Sequence, residues 1–262
     1  MRRFSADYLE STRSGMWADS REALSDLELG ECQRVLDVGC GTGELTRVLR
    51  EESNGDVVGL DADAGLLSSV AGPTVRGDAT RLPFADDSVD LVVCQALLIN
   101  LPDPVAAVRE FARVASDRVA AVEPNNGAVT IQSTVDSEPR LARRARNLFL
   151  DGVDTDVELG ADAADVFKTA GLDVVSTRRY DQELTVEPPY GEGAVRAARR
   201  KATGEGLATD RETILAGDTT PGEYDALREQ WREMGRAVVT QMGTEEYERR
   251  ETVPFFVTVG RV

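Results

Sequence analysis

The 262-residue chain holds 47 acidic and 30 basic residues, a net charge of −17, and no histidine. That absence excludes Ser-His-Asp and Cys-His catalysis, histidine proton shuttles and the common zinc sites. With 41% apolar residues a sizeable core is available and wholesale disorder is excluded, while the longest nearly apolar run, Leu91 to Ile99, is too short to span a bilayer.

In chain order, Arg34-Val35-Leu36-Asp37-Val38 reads as a short apolar strand ending at the turn Gly39-Cys40-Gly41-Thr42-Gly43. A helix follows, with Leu45, Val48 and Leu49 at the spacing of a buried stripe. Asp56 to Leu60 is a second strand closed by Asp61, then a short helix through Leu66, Leu67 and Val70 ends at Gly72-Pro73. Thr74-Val75-Arg76 is a brief third strand and Val89 to Gln95 a buried fourth. Asp103-Pro104 supplies an N-cap followed by proline at the first helical position, opening a helix with Val105, Val108 and Phe111 inward. Arg118 to Val122 is a fifth strand stopped by Glu123-Pro124. This rhythm implies a parallel, doubly wound α/β sheet.

Beyond Pro124 the pattern loosens. Residues 125–160 read as polar, Arg-rich chain with a helix through Leu141, Ala145 and Leu148. A helix from Asp162 to Ala170 leads into a sixth strand from Leu172 to Tyr180 or beyond. Then come Pro188-Pro189, an Arg-rich helix near Val195 to Lys201, a Gly/Thr-rich loop, a helix from Pro221, and a final strand over Thr252 to Gly260. We expect a single domain over 1–262, its core near 30–124, 161–186 and 252–262. The helical cap, the expected substrate region, takes 1–29, 125–160 and 187–251.

The glycine-rich turn is the chemical centre. Its glycines let backbone approach a ligand, and the following helix N-terminus presents free N–H groups and partial positive charge. No Gly-Lys pair exists to make a P-loop, and Glu44 stands where the dinucleotide fingerprint needs a small residue, which disfavours a nicotinamide-dependent oxidoreductase.

The run Val35 to Gly43 resembles the first motif of class I (Rossmann-like) S-adenosylmethionine-dependent methyltransferases, specifically their small-molecule, type 11-like group. The later segments follow in order. Asp61 lies 18 residues past Gly43, Gly77-Asp78-Ala79 precedes Leu82-Pro83-Phe84, and Ser88 to Val93 leads into Leu97 to Asp103. The resemblance implies a seven-stranded, mostly parallel sheet whose last strand is antiparallel, S-adenosylmethionine as cofactor and S-adenosylhomocysteine as product. It implies a cofactor site of Asp37, Gly39, Cys40, Gly41 and Gly43, then Asp61 with Ala62 at the ribose and Asp78 with Ala79 at the adenine. Cys94 and Gln95 border the sulfonium, and Arg13, with Tyr8, closes over the methionine carboxylate from an N-terminal helix that also carries Met16 and Trp17. Relatives often carry histidines after strand four, where this chain has Ile99-Asn100.

The paired carboxylate of Asp61 suits two ribose hydroxyl donors, and Asp78 suits an exocyclic amine. Asp37 can receive the methionyl ammonium directly or through the turn. Asp90 reads as a strand-end residue and Asp86 and Asp87 as surface loop. For a general base the candidates are Glu123, Asn125, Tyr8 and Tyr190, with none assigned; no metal is expected. The clusters Arg140-Arg143-Arg144-Arg146 and Arg196-Arg199-Arg200-Lys201 read chiefly as helical faces pairing with neighbouring acids, and alternatively as attractors of an anionic substrate.

The expected activity is methyl transfer to a small-molecule acceptor, by a monomer or homodimer. The alternatives are an RNA (tRNA) methyltransferase and a catalytically silent cofactor-binding protein. Net acidity argues against a generic nucleic-acid partner. No signal peptide is visible after Met1-Arg2-Arg3, and Cys32, Cys40 and Cys94 read as reduced thiols, so the expected location is cytoplasmic and not membrane-bound. Only Lys168 and Lys201 are lysines among 30 cations, a composition that resembles halophilic proteins; arginine-favouring codon usage is the alternative.

Overall fold

A computed structural model describes Leu9, Met16, Trp17 and residues 20–262. The expected N-terminal helix, with Tyr8 and Arg13, lies outside the described residues apart from Leu9, Met16 and Trp17. By its contacts the chain divides into two compact units, one of residues 1–125, 158–180 and 254–262, the other of residues 126–157 and 181–253.

The first unit is an α/β sheet. Strands β1 (Arg34–Val38), β2 (Asp56–Asp61), β3 (Thr74–Arg76), β4 (Val89–Gln95) and β5 (Ala115–Pro124) stand in the order β3-β2-β1-β4-β5. All four of these pairings are parallel. The order reverses at β1, so β1 and β4 diverge at a switch point where ligands of such sheets bind, beyond the carboxyl ends of the strands. The last strand, β8 (Arg249–Arg261), runs antiparallel to β5 from Phe255 to Arg261, and β7 (Asp173–Val186) also pairs with β8. Central strands β1 and β4 are almost wholly buried because both faces are covered.

Helices α1 (Glu44–Glu52), α2 (Ala64–Leu67), α3 (Pro104–Val114) and α5 (Ala163–Ala170) follow the expected rhythm. Asp103 caps α3 as expected, accepting from the Ala106 N–H at 2.9 Å. Val108, Phe111 and Val114 of α3 join Phe167 of α5 in one core with Val92, Val119 and Ala121. Residues 21–31, mostly within the expected cap, instead form two short 3-10 turns belonging to this unit, with Leu24, Leu27 and Leu29 buried.

In the second unit, α4 (Glu138–Asp151), α6 (Glu192–Thr203), α7 (Glu205–Thr209), α8 (Arg211–Ala216) and α9 (Pro221–Gly243) enclose a separate core. It includes Leu141, Leu207, Ile214, Tyr224, Leu227 and Met234. A full capping box of Thr220 and Glu223 starts α9. A Cβ on Gly235 of α9 would stand 2.3 Å from the backbone nitrogen of Ala202 in α6, so the two helices cross in direct backbone contact.

Three elements depart from expectation. Strand β6 (Thr130–Ser133) lies in the segment expected to be irregular beside its helix, because it finds a partner in β8 from Arg249 to Thr252. Helices α7 and α8 replace the expected Gly/Thr-rich loop because Leu207 and Ile214 gain burial that outweighs weak local propensity.

Candidate functional site

Each glycine of the turn after β1 has positive φ: +71° at Gly39, +55° at Gly41 and +88° at Gly43. The chain therefore doubles back at a shape that side-chain-bearing residues adopt at a cost. Gly39 and Cys40 both donate their N–H to the Leu60 carbonyl, at 2.7 and 3.0 Å, which moors the turn to β2. Gly39 also has no room for a side chain, since a Cβ there would stand 2.9 Å from Leu97 Cδ1.

Asp61 closes β2 at the mouth of this turn. Its Oδ2 accepts the Gly41 N–H at 2.9 Å and its Oδ1 the Asp63 N–H at 2.8 Å. Each oxygen keeps a second lone pair for an incoming hydroxyl. Ala62 beside it is exposed, and its carbonyl takes Arg76 Nε at 3.1 Å. The Gly77 N–H donates to the Asp61 carbonyl at 3.1 Å, bringing β3's end alongside.

Asp78 is exposed, with Oδ1 accepting both the N–H and the hydroxyl of Thr80 at 2.8 Å. The Thr80 backbone bond, then its hydroxyl, hold the Asp78 carboxyl below the usual carboxylate range, which favours its ionised form. Ala79 is buried behind it. The following segment is fastened from α3: Glu110 accepts the Leu82 N–H at 2.8 Å, and Arg113 donates to the carbonyls of Leu82 and Phe84.

Asp37 is 1% exposed and accepts the Thr46 hydroxyl at 2.6 Å, joining β1 to α1. The sequence signal for this contact is Thr46 itself, a polar residue between Leu45 and Val48 on the buried stripe. Cys40 and Cys94 have buried side chains, and burial pushes both thiols above the usual cysteine range. Cys94, paired to β1 and β5, is 0% exposed as a whole residue and so offers a ligand neither thiol nor backbone, and Cys40 is 5% exposed. Gln95 is buried at the end of β4, where its Oε1 accepts the Trp17 indole N–H at 3.3 Å and its amide faces Met16 Sδ at 2.9 Å. Met16 and Trp17, read as N-terminal helix residues, thus meet the carboxyl end of β4. Arg13 lies outside the described residues.

Two candidate bases turn out to be committed elsewhere. Glu123 is fully buried and accepts backbone N–H groups from Leu97, Leu98 and Ile99. The Tyr190 hydroxyl donates to the Tyr247 carbonyl and accepts the Tyr247 N–H, both at 3.0 Å. Asn125 donates its N–H to the Pro254 carbonyl at 2.9 Å. Asp90 takes the N–H groups of Gln33 and Arg34, a strand-end role as expected.

Within the second unit, Arg146 pairs with Glu251, and Lys201 and Arg249 converge on Glu138. Ser133 and the Tyr247 hydroxyl also donate to Glu138, at 2.6 and 2.9 Å. Arg140, Arg143, Arg196 and Arg199 stay exposed.

Residues 36–122 match the family Methyltransf_11, a methyltransferase domain. The demethylmenaquinone methyltransferase of Mycolicibacterium paratuberculosis is 39% identical over 130 residues, covering 45% of this chain and 56% of that protein. That of Mycobacterium sp. (strain KMS) is 43% identical over 97 residues, covering 36% and 42%. The chain thus spans about half the length of these relatives. Among solved structures, a methyltransferase of Bacillus halodurans superposes with a TM-score of 0.53 at 15% identity, covering 93% of this chain and 98% of the other. A chain from the complex of the Haloferax volcanii Trm112 methyltransferase activator with a methyltransferase gives 0.54 at 19% identity, covering 98% and 92%. These two likenesses concern the fold. Residues 36–122 thus match a methyltransferase domain, and the chain has the fold of the methyltransferase structures on which it superposes.

Proposed function

We propose that the chain is an S-adenosylmethionine-dependent methyltransferase acting on a small molecule, and that Asp61 is the centre of its cofactor site. The observation that carries this is the Asp61 carboxylate, held at the mouth of the glycine turn by the Gly41 and Asp63 N–H groups with lone pairs to spare. A turn with no room for a side chain at Gly39, two carboxylates at the ends of β2 and β3, and a buried wall of Gln95 and Trp17 fit this cofactor. Asp61 would accept the two ribose hydroxyls, Asp78 Oδ2 the adenine amine, and the turn backbone the methionyl end. When bound, S-adenosylmethionine supplies a methyl group made electrophilic by its positive sulfur. The residues then need to align an acceptor lone pair in line with the methyl–sulfur bond and keep water out. The new bond forms at the acceptor as that bond breaks, and its electron pair returns to sulfur in S-adenosylhomocysteine. An acceptor that is already deprotonated needs no base, in keeping with the other bonds that occupy Glu123 and Tyr190.

For the acceptor, the names of the relatives support a quinone-related ring as the first class to try. Against RNA stands the placement of Arg146 and Lys201, one from each arginine cluster, on acidic partners. The acidic, lysine-poor composition supports a halophilic cytoplasm as the working environment, so assays belong in molar salt. Among the described residues no helix is long and apolar enough to cross a membrane. The test is calorimetric titration with S-adenosylmethionine and S-adenosylhomocysteine, on wild type and Asp61→Ala. Binding by wild type that the variant loses supports cofactor and site together; a folded wild type that binds neither ligand refutes both.

A further inference from the structure

We propose that Glu123 is a positioning residue for the cofactor turn, acting through Leu97 on Gly39; the proposal rests on the cofactor reading above.

Glu123 ends β5 and is fully buried. Its Oε1 accepts the N–H groups of Leu97 and Leu98 at 3.0 and 2.9 Å, and its Oε2 that of Ile99 at 3.3 Å. Cys94 adds its S–H to Oε1 at 3.8 Å. One side chain from β5 thus gathers three successive amides of the loop after β4. That loop opens with Ala96 at φ +48°, a left-handed conformation costly for a residue with a side chain. The Ala96 N–H is tied to the Val122 carbonyl at 2.8 Å, and its own carbonyl accepts Asn100 Nδ2 at 2.9 Å. The backbone shape is therefore imposed chiefly from β5, with one bond from Asn100 within the loop.

What the loop holds in place is the Leu97 side chain. Leu97 is 5% exposed and stands so near Gly39 that a Cβ there would meet both of its methyl carbons, at 2.9 and 3.1 Å. The floor of the cofactor turn is a leucine whose own position is set by Glu123. Only a carboxylate suits this task, because it offers acceptors at both oxygens and no donor. Glutamine in the same place would turn an N–H₂ toward either Ile99 or the Leu97–Leu98 pair, leaving buried donors unmatched.

The test uses the full chain in molar salt: wild type, Glu123→Gln, Leu97→Ala and the double variant. It combines S-adenosylhomocysteine titration with amide hydrogen exchange. Both single variants are expected to stay folded and to bind about tenfold more weakly or worse. Because the two act on one line, the double variant is expected within about threefold of the weaker-binding single. Glu123→Gln is expected to accelerate exchange selectively at Leu97, Leu98 and Ile99, while Leu97→Ala leaves the Leu98 and Ile99 amides protected. Wild-type affinity in either single variant, or losses that multiply in the double, overturns the proposal. So does unchanged exchange at 97–99 in Glu123→Gln. Should Glu123→Gln fail to fold, Leu97→Ala decides, since wild-type affinity there removes the link to the turn. A wild type that binds no S-adenosylhomocysteine breaks the cofactor reading instead, and the exchange arm still reports whether Glu123 holds the loop.

Discussion

The N–H of Gly41 donates to Oδ2 of Asp61 at 2.9 Å, joining the glycine-rich turn after β1 to the tip of β2. Two residues 20 positions apart thus meet at the switch point of the sheet. The bond explains why an acid at this place does more than offer oxygens. It also moors the turn after β1 to the end of β2.

Asp61→Asn keeps the side chain's size and removes one acceptor oxygen and the charge. It is expected to raise the S-adenosylhomocysteine Kd by about 100-fold, or about 2.7 kcal/mol. Asp61 is only half-buried, so the thermal midpoint should move little. Titration beside a thermal melt checks both; an unchanged Kd would remove Asp61 from the site.

Gly39→Ala confronts both a φ of +71° and Leu97 Cδ1 at 2.9 Å. A loss of about 1–3 kcal/mol in unfolding free energy is expected, with weakened cofactor binding. Gly171 has positive φ but nothing within 4 Å of a Cβ, so Gly171→Ala should show only the smaller conformational cost. Denaturant unfolding of the pair separates crowding from backbone preference.

Acid should loosen the first unit partly through Glu110. Its bond to Arg113 holds its carboxyl below the ordinary 4.5 of a free glutamate. A depressed folded value means that the stabilisation is complete above about pH 4.5 and fades as pH falls through the folded value. Glu110→Gln is expected to lose about 1 kcal/mol at neutral pH and to show a shallower decline below pH 4.5. Unfolding midpoints measured from pH 7 down to pH 3 would show this, and parallel wild-type and variant curves would contradict it.

In the second unit Glu138 is 1% exposed and collects Lys201, Arg249, Ser133 and Tyr247. Desolvation acts most strongly against its charge, but Lys201, Ser133 and Arg249 together outweigh it and keep the carboxyl below its ordinary range. Glu138→Ala leaves a half-buried ammonium and guanidinium facing each other and is expected to cost about 3 kcal/mol. Asp165→Asn, breaking the exposed Asp165–Lys168 pair, should cost almost nothing. Equal effects of the two substitutions would contradict the importance of burial here.

Much of the first unit was legible in the residues themselves. The strand at Arg34–Val38, the cap at Asp103 and the acid closing β2 rest on local patterns of a few residues, and local geometry honours them. The roles of Glu123 and Tyr190 were not legible, because an acid or a phenol in sequence carries no sign of which distant amides will claim it. Glu123 finds its partners 24 to 26 residues away and Tyr190 finds its own 57 away. The same holds for Trp17 on Gln95, for Leu97 against Gly39, and for the convergence on Glu138. Composition and short-range spacing determined that this chain would build a glycine turn flanked by carboxylates on a parallel sheet. Which polar groups remain for a ligand was decided only by the tertiary structure, because a buried acceptor is claimed by whichever donors packing brings within reach.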